Sequence, residues 1–88
     1  MDKPWFVYII LCRNETFYCG ISDDVQRRLE AHRSGKGAKY TRGRGPLELV
    51  YVEQCPSHSE ALKREHTIKK LPRPEKLKLI EMYKTAAD

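Results

Sequence analysis

Two apolar runs separated by a short polar break open the chain. Residues 5–12, WFVYIILC, are rich in aromatic and β-branched types and predict a buried strand. Residues 16–21, TFYCGI, predict a second strand, and Asn14-Glu15 between them suits the turn of an antiparallel hairpin. Gly20 at the end of that strand permits a bend or a close approach of another group to the backbone. The period then changes. Val25 and Leu29 set one side of a helix, Asp23 with Gln26 matches a capping box, and Gly35 is a good stop. Residues 35–46, GKGAKYTRGRGP, hold four glycines and a proline and predict a loop. Residues 47–54 alternate as a third strand. Ser57 and Glu60 cap a second helix that runs to Pro72, with Ala61, Leu62 and Ile68 as its buried side. Pro74 suits the first turn of a last helix, with Leu77, Ile80 and Met82 or Tyr83 packing back. The expected fold is α+β: a three-stranded antiparallel sheet flanked by three helices, in the order ββαβαα.

Length and charge narrow this picture. With 88 residues there is room for one domain, residues 1–88, with its core at about 4–82. Seventeen Lys and Arg against twelve Asp and Glu give +5, which favours a nucleic-acid partner. No apolar run reaches membrane-spanning length and no segment reads as a signal peptide, so a cytoplasmic protein without membrane contact is expected. Cys12, Cys19 and Cys55 are odd in number and lack metal-ligand spacing. They read as small buried hydrophobes with free thiols, not as a zinc site.

Three polar residues break the inward faces of the helices. Arg28 and His32 lie on or beside the Val25–Leu29 stripe, and Glu65 falls among Ala61, Leu62 and Ile68. A guanidinium beside a core is costly without a partner. One reading is a structural Arg28–Glu65 ion pair with a satisfied core histidine. The other is a polar cleft. The basic loop favours the cleft, since Arg33, Lys36, Lys39, Arg42 and Arg44 stand there without an acid, and Tyr40 could stack on a base. Such a set suits phosphodiester hydrolysis. A carboxylate holds one divalent ion, an arginine stabilises transition-state charge, and a His or Tyr handles the attacking water.

Val7-Tyr8-Ile9 followed by Tyr18-Cys19-Gly20, with Arg28, His32 and Glu65 in order behind them, resembles the GIY-YIG nuclease superfamily. The resemblance covers roughly residues 4–82. It is closest to small stand-alone bacterial members of unassigned function, through 35-GKGAKYTRGRGPLELVY-51 and 60-EALKREHTIKKL-71. It implies a metal-dependent endonuclease on DNA, with a role in repair or recombination, using one Mg²⁺ or Mn²⁺. Carried over, Tyr8 activates water with Tyr18 and His32 assisting, Arg28 stabilises charge and Glu65 binds the metal. The first motif lacks its glycine, and Cys19 replaces the usual aliphatic residue. Ile21 stands where some relatives carry a lysine, which shifts phosphate contact to Lys36 or Lys39. Relatives with known tasks usually carry a second domain that selects the target, so the resemblance also implies a protein partner. The alternative is a nucleic-acid-binding module without intrinsic cleavage.

Overall fold

The computed structural model describes residues 3–13, 15–36 and 46–87. The order is β1 (Trp5–Leu11), β2 (Phe17–Ser22), α1 (Val25–Arg33), β3 (Glu48–Cys55), α2 (His58–Lys70) and α3 (Arg73–Ala87). This is the expected ββαβαα arrangement. The strands form one antiparallel sheet in the order β2-β1-β3.

The central strand explains its own sequence. Val7, Tyr8, Ile9 and Ile10 are all buried, so both faces of β1 must be covered and the run is apolar without alternation. Val7 and Ile9 join Cys19, Val50, Tyr51, Ala61, Ile68 and Ile80 in a core under α2 and α3. Tyr8, Ile10 and Cys12 join Leu29 and Leu47 under α1. In β3 the pairing slips between Ile9↔Tyr51 and Ile10↔Leu49. This bulge lets Val50 and Tyr51 both enter the α2/α3 core. The three cysteines are buried and outside any disulfide, as the sequence suggests.

Local chemistry sets the element ends. In the hairpin, Glu15 N–H donates to Cys12 O at 2.9 Å and Cys12 N–H to Thr16 O at 2.9 Å. Glu15 takes φ 62°, a left-handed conformation usually given to glycine. Its predicted turn partner, Asn14, lies outside the described residues. Arg73 steadies this turn by donating to Glu15 O at 2.8 Å. Gly35, at φ 80°, ends α1 in a Schellman motif: its N–H reaches His32 O, and Lys36 N–H reaches Ala31 O. Leu71 is forced extended ahead of Pro72, which stops α2.

Four expectations need correction. The cap of α1 is Asp24, which accepts from Arg27 N–H at 3.1 Å; Asp23 instead pairs with Arg27 at 3.8 Å. Ser22 decides this, because its hydroxyl takes the Asp24 N–H at 2.9 Å and turns the chain one residue later. On α2 the inward stripe is Ala61, Arg64, Glu65, Ile68 and Leu71, while Leu62 is exposed. Arg64, which the expected side of Ala61, Leu62 and Ile68 left out, reaches Glu53 on β3 through Nε at 2.9 and 3.1 Å. On α3 the stripe is Lys76, Leu79, Ile80 and Tyr83, which leaves Leu77 and Met82 outside.

Candidate active site

Strand register brings the two motif tyrosines together. Tyr8 is paired with Gly20 and Ile10 with Tyr18, so Tyr8 and Tyr18 are diagonal neighbours on the α1 face. Their ring centroids are 6.4 Å apart. The Tyr8 ring lies across Gly20. A Cβ at Gly20 would sit 2.6 Å from the Tyr8 hydroxyl oxygen and 2.8 Å from Cζ. The second motif therefore ends in glycine so that the tyrosine of the first can cross it.

His32 enters from the last turn of α1. It is 2 % exposed and Tyr8 is 1 % exposed. The Tyr8 hydroxyl lies 2.9 Å from His32 Nε2. Tyr18 meets the imidazole edge to face at 5.1 Å. Burial pushes Tyr8 up to about 12; neighbouring Tyr18 adds to this and Arg28 opposes it. Burial and then the Arg28 guanidinium lower His32 below its ordinary value. At neutral pH the phenol therefore keeps its proton and the imidazole is neutral. In the tautomer that carries its proton on Nδ1, Nε2 accepts from the Tyr8 O–H. Arg28 is half-buried on the same helix, one turn before His32.

Glu65 comes from elsewhere. It lies on α2, beneath the opposite face of the sheet, and its side chain is 19 % exposed. Its ion pair among the described residues is with Lys69, at 3.6 Å. Its charge is felt by Cys19, which burial first, and Glu65 next, push up to about 11. Cys19 and Tyr18 are adjacent on β2 and face opposite sides, so the edge strand β2 separates Glu65 from the tyrosine cluster. Among the described residues Arg28 and Glu65 form no ion pair, which removes the purely structural pairing considered above. The structure thus gathers Tyr8, Tyr18, Arg28 and His32 and sets Glu65 across β2 from them.

Of the basic residues, Arg33 is exposed and pairs with Glu30 at 3.4 Å, and Lys36 is exposed. Lys39, Tyr40, Arg42 and Arg44 lie outside the described residues. Sequence reasoning missed the Tyr51–Glu53–Arg64 network, in which the Tyr51 hydroxyl donates to the carboxylate that Arg64 grips. The signal was present: Tyr51 and Glu53 are two apart on one strand and so share a face.

A carboxylate with one ion-paired lysine suits Mg²⁺ or Mn²⁺, which keep several waters and take one or two protein carboxylates beside substrate phosphate. No group of three or more His, Cys, Asp and Glu placed to hold a metal occurs among the described residues. Glu65 is a carboxylate that could hold such an ion beside substrate phosphate.

The fold and the tyrosine–histidine cluster define a class, and comparison with known families agrees. The chain belongs to the GIY-YIG family: the model of the GIY-YIG catalytic domain matches residues 4–78. Within it the chain is similar to proteins named UPF0213. One from Oceanobacillus iheyensis is 53 % identical over 81 residues, spanning 92 % of this chain and 94 % of that one. One from Staphylococcus epidermidis is 52 % identical, spanning 92 % and 98 %. The solution NMR structure of a UPF0213 protein from Bacillus halodurans shares the fold, with TM-score 0.58, 46 % identity, and coverage of 90 % and 84 %. A second NMR structure, of an E. faecalis protein, gives TM-score 0.64 at 36 % identity, covering 96 % and 90 %. No described helix is long and apolar enough to cross a membrane.

Proposed function

We propose that this protein is a divalent-metal-dependent endonuclease that hydrolyses DNA phosphodiester bonds, in a repair or recombination setting. The observation that carries the reading is the Tyr8–His32 hydrogen bond at 2.9 Å, flanked by Tyr18 and Arg28. A phenol held at about 12 is a strong base once it has passed its proton on. Neutral His32 is placed to take that proton at Nε2 while the Tyr8 oxygen takes one from water. The hydroxide so formed attacks phosphorus, and the bond to the leaving sugar oxygen breaks. The anionic substrate offsets the charge that develops on His32. Arg28 holds the additional negative charge of the transition state. Tyr18 walls the imidazole and orients the water. Glu65 would hold Mg²⁺ or Mn²⁺, which when bound polarises the phosphate and assists the leaving oxygen. Lys36 with Arg33, and Lys39, Tyr40, Arg42 and Arg44 of the basic loop, would bind the strand. A protein partner would supply target choice.

The test is a cleavage assay on supercoiled, single-stranded and branched DNA with EDTA, Mg²⁺ or Mn²⁺. Metal-dependent cutting is expected, falling on the order of 10²–10³-fold in Arg28→Ala and comparably or further in Glu65→Gln. The rate should rise with pH as His32 loses its proton, with an apparent pKa below the ordinary 6.5, and stay level through neutrality. One observation favours the second reading, a binding module that cuts only with a partner: Tyr8 and His32 are almost wholly buried. A folded wild type that binds DNA with strong salt dependence and never cuts would establish it.

A further inference from the structure

A pocket of about 250 Å³ opens beside the tyrosine cluster, between β2 and helices α2 and α3. Its lining divides by chemistry. Ile9, Cys19 and Ile68 are apolar, Phe17 and Tyr18 are aromatic, and Lys69 and Lys76 are cationic. We propose that this slot takes one unstacked nucleobase of a bound strand, with Lys69 and Lys76 on the adjoining phosphates. The proposal rests on the reading of Tyr8, Tyr18, Arg28, His32 and Glu65 as a nuclease site, since it extends the path of the strand beyond it.

Four observations support this occupant. Tyr18 belongs to both places: it meets His32 edge to face at 5.1 Å and also lines the slot. Lys69, in turn, is paired with Glu65 at 3.6 Å. The slot therefore touches the candidate site at the tyrosine end and at the carboxylate end, where a strand crossing the site would place its next nucleotide. Second, Phe17 is held before any ligand arrives. The Arg73 guanidinium lies 4.5 Å from its ring centroid while donating to Glu15 O. A fixed ring loses little freedom when a base stacks on it. Third, both lysines line the slot, near enough to Cys19 on its floor for their charge to oppose the rise of its thiol pKa. Lys76 has no carboxylate at ion-pair distance among the described residues, so its charge is available to an anion. Fourth, the volume suits a single planar ring system, being smaller than the pockets of about 300 Å³ and more that hold drug-sized ligands. An apolar, aromatic floor under two ammonium groups fits a base with its phosphate better than it fits a phosphate alone.

The test is an NMR titration of ¹⁵N-labelled protein in EDTA, so that cleavage plays no part. The probes are single-stranded octathymidylate and an octamer of the same phosphate count whose sugars carry no bases. Octathymidylate should shift the amides of Phe17, Cys19, Ile68, Lys69 and Lys76. The abasic octamer should leave Phe17 and Cys19 unmoved and bind at least about fivefold more weakly, for one lost base–aromatic stack. Lys76→Gln, which removes the charge at a half-buried position, should weaken octathymidylate and lower the slope of log affinity against log salt by about one. Phe17→Leu should bring the two octamers towards equal affinity. Equal binding of both by the wild type, with Phe17 and Cys19 unmoved, would overturn the slot and leave the nuclease reading standing. Base-dependent shifts in a protein that cuts no DNA would uphold the slot and sink the nuclease.

Discussion

Tyr8 and Tyr51 sit on adjacent strands, both are buried, and both are pushed up to about 12, yet they serve opposite faces of the sheet. Tyr51 faces α2 and α3. Its hydroxyl is committed to Glu53, which is gripped in turn by Arg64, and its ring meets Tyr83 at 5.7 Å. Tyr51, Glu53 and Arg64 are partnered with one another, and the network ties β3 to α2. Tyr8 faces α1. Its partner is a neutral imidazole that can accept a proton, and the neighbouring charge is a cation. A high pKa alone thus does not mark a reacting tyrosine. On the proposed reading, what marks Tyr8 is a partner able to take the proton and a neighbouring charge suited to an anionic substrate.

On this contrast, substitutions in the apolar core beneath α2 and α3 should cost stability, and substitutions at Tyr8, Arg28, His32 and Glu65 should cost chemistry. The largest loss of stability is expected from Ile68→Ala, which empties a fully buried position: about 2–5 kcal/mol by denaturant unfolding. Gly20→Ala comes next, at about 1–3 kcal/mol, because the new methyl must displace the Tyr8 ring. It should also break the Tyr8–His32 bond, seen as a changed His32 titration by NMR. Glu65→Gln sharpens the comparison from the other side. Its carboxylate has a single half-exposed lysine at i+4, so thermal stability should change by no more than about 0.5 kcal/mol while cutting is lost. A large loss of stability would return Glu65 to a structural role.

Acid gives a fourth, smaller effect. Unfolded, His32 titrates at its ordinary 6.5; folded, it titrates lower. Between those values the unfolded chain holds more protons. Stability should therefore fall as pH drops from about 6.5 through the folded value, and His32→Gln should flatten that slope. Glu15→Gly at the hairpin turn relieves a left-handed glutamate and should raise stability by about 1 kcal/mol or less, measured by denaturant unfolding.

The sequence made some of this legible for physical reasons. Strand parity put Cys19 on the face opposite Tyr18, because alternate residues must part. Gly35, Ser57 and Pro72 marked helix ends, because each acts within one turn of itself. What stayed hidden depended on partners remote in the chain. Leu62 looked buried and is exposed, while Arg64, left out of the expected side, is drawn inward by its counter-charge Glu53 on β3. Asp23 looked like the cap, and the Ser22 hydroxyl gave that place to Asp24. Glu65 was correctly placed on the inward stripe of α2. Which face of the sheet that stripe covers is a matter of topology, and the spacing of one helix does not contain it.

The short turn between β1 and β2 has a consequence for how this chain can change. Exposed hairpin turns usually accept extra residues, since the loop simply bulges outward. Here the turn from Cys12 to Thr16 sets which residues of β2 look up and which look down. Any change in its length that shifted β2 by one position would carry Cys19 to the α1 face and Tyr18 into the oily core, losing chemistry and packing together. An insertion scan should find this solvent-facing turn as intolerant of length change as β1 itself.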